Sequence, residues 1–260
     1  MSIVREGLIL TGRDLAHWRR QPWTPIFNLL FTIMLLLMFA FIFGGSIQLP
    51  GGGDYIHFLL PGMMTLAMMF GLETTMTTMA NDSKKGITDR LRSMPISDAS
   101  VSLGRVGADM VSAVIEIVIL IIGGLLLGWR ATNSPLAGLV AVALLLWLRF
   151  AVLWVGIFLG LTTGRHDGAT VLVQVLVWPV GFLSNVFAAP EFMPSWLGAV
   201  AAWNPISATA TAVRELFGNP TGVTSGWLDE ASLLAAIVWP LAITAVFLPL
   251  SARAYRRLRK

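Results

Sequence analysis

The sequence predicts an all-α, polytopic membrane protein with six transmembrane helices, an N-terminal interfacial helix and an extracellular re-entrant helical hairpin. Three observations lead there. First, 56% of the 260 residues are hydrophobic and only 12% are charged, with a mean hydropathy of +0.76; a soluble domain averages about 45–50% apolar and about 25% charged. Second, charge-poor runs recur that approach the roughly 20 apolar residues needed to cross a hydrocarbon core of about 30 Å. Third, the polar segments between them are short and hold most of the Lys and Arg. The net charge of +4 is therefore read as membrane-surface charge and not as a nucleic-acid footprint. Cysteine is absent, which excludes disulfides, thiolate metal sites and a Cys nucleophile.

Residues 1–24 interleave apolar and charged positions without the continuous apolar core of a cleavable signal. Leu8, Leu15 and Trp18 share a face opposite Arg5, Arg13, Asp14, Arg19 and Arg20. The pattern suits a helix lying on the membrane surface, with a cytoplasmic cap helix as the alternative. Spans are expected over residues 26–43, 56–80, 106–127, 136–161, 169–188 and 231–250. The second is interrupted early by Pro61-Gly62. Residues 81–98 form a charged connector. Residues 189–230 contain four prolines and two apolar pieces, 196–203 and 206–217, each too short to span. Their apolar character predicts a hairpin dipping into the outer face, turning at Asn204-Pro205. The whole chain, 1–260, reads as one transmembrane domain.

Orientation follows from the basic residues. With both termini in the cytoplasm, that side collects four from the N-terminus, five from Lys84 to Arg105, Arg165 and five from the C-terminus, fifteen of the eighteen. Arg130 and Arg214 remain on the outer side and Arg149 lies inside the membrane. This positive-inside bias predicts a multi-pass protein of the inner (plasma) membrane.

Enzyme chemistry has little support. Gly-Lys does not occur, which excludes a G-x-x-x-x-G-K-[ST] phosphate loop. His17, His57 and His166 fall in separate segments, no span has a His in its interior, and Asp109 is the one aspartate within a span. No metal or cofactor is expected on this chain. The intramembrane charges are Glu73, Asp109, Glu116 and Arg149, and such residues are costly in lipid. Glu116 and Arg149 lie roughly 16–18 Å deep at 1.5 Å per residue, on consecutive antiparallel spans. They are expected to pair; the alternative is that each faces water or a neighbouring subunit. Glu73 either lines a path or anchors its helix. The second span is rich in methionine, a side chain that adapts to varied apolar ligands and equally fills ordinary helix contacts. Met64, Met68 and Phe70 are the candidate path residues.

The connector Lys84-Lys85-Gly86-Ile87-Thr88-Asp89-Arg90-Leu91-Arg92-Ser93-Met94-Pro95-Ile96-Ser97, followed later by Met193-Pro194-x-Trp196, Asn204-Pro205 and Arg214, resembles the membrane subunit of ABC-2-type exporters, most closely the daunorubicin-resistance type. The resemblance covers nearly the whole chain. It implies a dimeric permease, homo- or heterodimeric, with two copies of a separate ATPase that holds ATP and Mg. It implies that Lys84, Lys85, Gly86, Asp89, Arg90, Leu91 and Arg92 form the coupling segment. The cations there can equally hold anionic lipid. The expected cargo is a hydrophobic drug, antibiotic or lipid moved outward. The alternatives are a glycan-exporting permease and an ATP-independent channel or secondary carrier.

Overall fold

A computed structural model describes residues 9, 11–12, 23–45, 54–84, 98–163, 167–223 and 226–257. Nearly all of the expected interfacial helix, and positions 85–97 of the connector, lie outside the described residues. Of the N-terminal stretch, the Thr11 hydroxyl donates to the Gly104 carbonyl at 3.0 Å.

All regular structure among the described residues is helical. The longer helices among the described residues are α1 (Trp23–Phe43), α2 (Tyr55–Lys84), α3 (Asp98–Leu126), α4 (Pro135–Thr163), α5 (Asp167–Phe182) and, after two short helices, α8 (Trp227–Arg257). The short pair, α6 (Ser195–Ala202) and α7 (Pro205–Phe217), follows a 3-10 turn at Pro190–Phe192. Among the described residues four helices are long and apolar enough to cross a membrane: Tyr55–Asp82, Leu103–Leu126, Pro135–Thr163 and Trp227–Tyr255; Leu29–Phe43 is a shorter apolar helix.

The bundle is built around α2, which is buried on nearly every side, as an all-round apolar helix must be. Its Met63, Met64 and Met68 have no exposure, and they share one core with Leu36, Ile117, Leu145, Val213 and Ala236 of five other helices. Its contact with α4 is close because glycines permit it. A Cβ at Gly156 would lie 2.7 Å from the Leu72 carbonyl oxygen, and one at Gly160 would lie 2.7 Å from that of Met76. Small residues four apart let two backbones approach in this way. The polar end of α2 continues helically from Asn81 to Lys84, so the connector begins on a helical extension and not in a loop. At the other side of the connector, α3 starts at Asp98, eight residues before the expected span.

The fifth helix departs furthest from expectation. It ends at Phe182 after 16 residues, not at 188. Pro179 lies inside it, and the chain then runs without regular helix to Ala189. Ser184, Asn185, Val186 and Ala189 in this run are nevertheless buried. The last helix starts at Trp227, but its backbone is non-helical at Ala231 (φ −128°, ψ 19°), the position where the sixth span was expected to begin.

Gly156→Ala should therefore lower the midpoint of thermal unfolding in detergent. The strain of overpacking, about 1–3 kcal/mol, exceeds the ~1 kcal/mol that Ala gains over Gly in a helix. Gly123→Ala, where an added Cβ meets nothing within 4 Å, should hold or raise it.

Candidate functional site

Three helices converge on one buried cation. Arg149 on α4 is 2% exposed, and its Nη2 lies 2.9 Å from an Asp109 oxygen on α3. Its Nη1 lies 3.5 Å from a Glu116 oxygen on the same helix. Nη1 also donates to the main-chain carbonyls of Ala67 (3.1 Å) and Met68 (3.4 Å) on α2. Asp109 accepts a further 2.8 Å hydrogen bond from the Thr75 hydroxyl. Gly71 makes room: a Cβ there would overlap the guanidinium.

The local sequence explains the convergence. Asp109 and Glu116 are seven residues apart, two turns along one face of α3, about 10.5 Å in rise. A forked guanidinium with donors on two nitrogens bridges them in a way that an ammonium could not. The sequence paired Glu116 with Arg149. The structure places both carboxylates on the guanidinium, with Asp109 nearer and more enclosed: Asp109 is 3% exposed and Glu116 21%. Glu73 is half-buried on α2. Met64 and Met68 are wholly enclosed. Phe70 is partly exposed, with Trp178 of α5 at 4.9 Å and Phe31 of α1 at 6.4 Å between ring centroids. Of the coupling residues only Lys84 is described, exposed at the end of α2; Lys85, Gly86, Asp89, Arg90, Leu91 and Arg92 lie outside the described residues.

A second buried arginine escaped the sequence reading. Arg214, counted above as an outer-side cation, has no exposure. Its Nε donates to the Phe58 carbonyl at 2.9 Å, and its Nη2 to the Asn185 and Val186 carbonyls, each at 3.1 Å. The guanidinium also lies 3.6 Å from the Phe58 ring centroid, a cation–π contact. Gly62 opens the space for it. Arg214 thus supplies donors to the irregular backbone after α5. Asn204 does the same from the other end of α7. Its Nδ2 donates to the Val180 and Leu183 carbonyls at 2.7 and 2.9 Å, while its Oδ1 accepts from the Ile206 N–H at 2.9 Å. One side chain therefore caps the end of α5 and the start of α7 together.

The other contacts of α7 complete a latch. Asn185 Nδ2 donates to the Thr211 hydroxyl, and the Ser207 hydroxyl accepts from the Asn185 N–H. Gly218 ends the helix in the left-handed region at φ 70°, a position that favours glycine. Glu215 accepts the Ser232 hydroxyl of α8 at 2.8 Å. Burial raises the Glu215 carboxyl above its ordinary range, while the Ser232 hydrogen bond pulls the other way.

Asp109→Asn should destabilise the folded protein more than Glu116→Gln. Losing the nearer partner uncovers a buried guanidinium at a cost of about 3–5 kcal/mol. Comparing the two midpoints in urea or heat tests this, and equal losses would contradict the asymmetric geometry.

Comparison with known proteins agrees with this architecture. The sequence matches the ABC-2 type transporter family over residues 5–217. It is 32% identical over 244 residues to the daunorubicin resistance ABC transporter permease protein DrrB1 of Streptomyces coeruleorubidus, covering 94% of this chain and 83% of that protein. It is 21% identical to the probable doxorubicin resistance ABC transporter permease protein DrrC of Mycobacterium tuberculosis, covering 98% and 89%. It is 24% identical to a putative transport permease, ycf38, of Cyanophora paradoxa, covering 88% and 78%. A helical membrane bundle without a phosphate loop and this run of similarity have one reading: the chain belongs to the ABC-2 type transporter family.

Proposed function

We propose that this chain is the membrane-spanning half of an ATP-driven exporter that moves a hydrophobic drug or antibiotic out across the plasma membrane. The observation that carries this reading is the 32% identity, over 94% of the chain, to a permease named for daunorubicin resistance. In this reading α1 to α5 and α8 make six crossings, with both termini and the connector in the cytoplasm. The positive-inside bias supports that orientation. The α6–α7 hairpin re-enters from the outer face. The hydrogen bonds that Arg214 and Asn204 give to the backbone after α5 support re-entry, because irregular backbone at membrane depth is tolerated where protein satisfies it.

ATP and Mg are held by two copies of a separate ATPase, and two permease chains pair across the membrane. The ATPase receives Lys84, Lys85, Gly86, Asp89, Arg90, Leu91 and Arg92, and its closure pushes on the cytoplasmic ends of α2 and α3. Force applied there reaches the charge cluster directly, since α2 and α3 each carry part of it. Phe70, with Phe31 and Trp178 around it, borders the cargo path; Met64 and Met68 back it from the core.

Reconstitution with the ATPase tests the reading. ATP-dependent efflux of a lipophilic dye should fall at least about tenfold in Gly86→Trp and Leu91→Asp, while both variants still insert in the membrane. Undiminished coupling in these variants removes the assignment of the connector. Efflux that ignores ATP depletion in the unmodified complex removes the exporter reading itself.

A further inference from the structure

Arg214 reaches the broken chain after α5 with only part of its donor set. Its Nε and Nη2 are committed to the Phe58, Asn185 and Val186 carbonyls. Nη1, on the far edge of the same guanidinium, is buried without a hydrogen-bond partner among the described residues. The Asn185 side chain is left in the complementary state. Its Nδ2 donates to the Thr211 hydroxyl at 2.8 Å, and its main-chain oxygen takes Arg214 Nη2 at 3.1 Å. Its Oδ1 is buried and accepts no hydrogen bond among the described residues. Neither Asn185 nor Arg214 has any exposure.

These two orphaned atoms are neighbours. Thr211 and Arg214 are three residues apart and share a face of α7. That face takes the Asn185 amide at Thr211 and the Asn185 main-chain carbonyl at Arg214. The spare donor and the spare acceptor therefore lie in one small, fully desolvated region without bonding each other. Buried polar atoms left in this way are costly. An anion would answer the donor but be repelled by Oδ1. A water molecule answers both, because it accepts from Nη1 and donates to Oδ1.

We propose that Arg214 and Asn185 hold a buried water molecule between them, at the joint where α7 grips the broken end of α5. A water-mediated bond is nearly as favourable as a direct one, and neither side chain alone fixes its length. The α5 break can thus adjust against α7 without leaving the guanidinium bare. The site is independent of the cargo and of coupling to an ATPase.

X-ray hydroxyl-radical labelling of the full chain in lipid nanodiscs tests this. Radicals formed from a bound water attack the nearest reactive side chain. The Phe58 ring has no exposure, and its centroid lies 3.6 Å from the guanidinium carbon. Phe58 should therefore be hydroxylated, read by peptide mass spectrometry. After rapid mixing into heavy-oxygen water its label should at first keep ordinary oxygen, while exposed Phe192 takes the heavy isotope at once. Asn185→Leu, which removes the acceptor, should lose the Phe58 label. Thr211→Val, which removes the other partner of the amide and leaves Oδ1 in place, should keep it. An unlabelled Phe58 in the unmodified protein overturns the inference, and so does a label that turns heavy as fast as that of Phe192. Persistence of the label in Asn185→Leu, or its loss in Thr211→Val, overturns it too. The isotope reading on the unmodified protein decides the matter even where a variant fails to fold.

Discussion

An arginine cannot stay charged inside a hydrocarbon core unless protein encloses it, and Arg149 is charged at any accessible pH. That constraint arranges the middle of this molecule. It brings α3 against α4 so that Asp109 reaches the guanidinium. It requires a hole in α2, which Gly71 provides. It also makes use of the Ala67 and Met68 carbonyls of α2 as additional acceptors. A lysine would not substitute, because the contact divides over two nitrogens pointing different ways. The glycine contacts of α2 with α4 at Gly156 and Gly160 lie on the same side of the bundle and hold the two backbones close enough for the arginine to span them.

The second constraint is the backbone itself. When α5 stops at Phe182, its last carbonyls and those of the irregular run beyond need donors that lipid cannot supply. The sequence answers with donor side chains at the two ends of α7, Asn204 at its start and Arg214 near its end, while Ser207 accepts the Asn185 N–H of the same run. Tyr55 adds a hydroxyl to the Phe187 carbonyl at 2.7 Å. This is why α7 is buried along most of its length while its neighbour α6 keeps only Ala201 inside. The more apolar of the two short helices is the less buried, because the two have different work. One holds the broken chain, and the other covers it.

Much of this architecture is legible in the sequence, and the illegible part has physical causes. The long runs at α2, α3, α4 and α8 are long and apolar enough to announce themselves. Asn204-Pro205 announces its turn because Asn is a strong cap and Pro a strong first helical residue. Glu116 and Arg149 are recognisable as partners by matched depth. Asp109 is not, because depth counted along the backbone ignores the reach of a long, forked side chain. Arg214 is hidden for a different reason. A charge count treats every outer cation as solvated, and whether bare carbonyls await it depends on where α5 breaks. A faint signal was present in Ser207-Ala208-Thr209-Ala210-Thr211-Ala212, a run of small residues of the kind that packs closely between helices. The early end of α5 is harder to read, since Pro179 and Gly181 sit within a run that only Ser184-Asn185 interrupts before Ala189.

The two kinds of contact also divide the molecule mechanically. Directional bonds tie α2 to α4 and α7, through Arg149 onto the Ala67 and Met68 carbonyls and through Arg214 onto that of Phe58. By contrast, α1 and α5 meet α2 through rings: Phe31 with Phe70 and Trp178, and Phe70 with Trp178. Ring pairs of this sort are weaker and allow several offset and edge-to-face arrangements, whereas a guanidinium seated between carboxylates and carbonyls has one. A push delivered at Lys84 would therefore move α2, α4 and α7 as one body. Relative motion would be taken up at the aromatic seam with α1 and α5, beside Phe70.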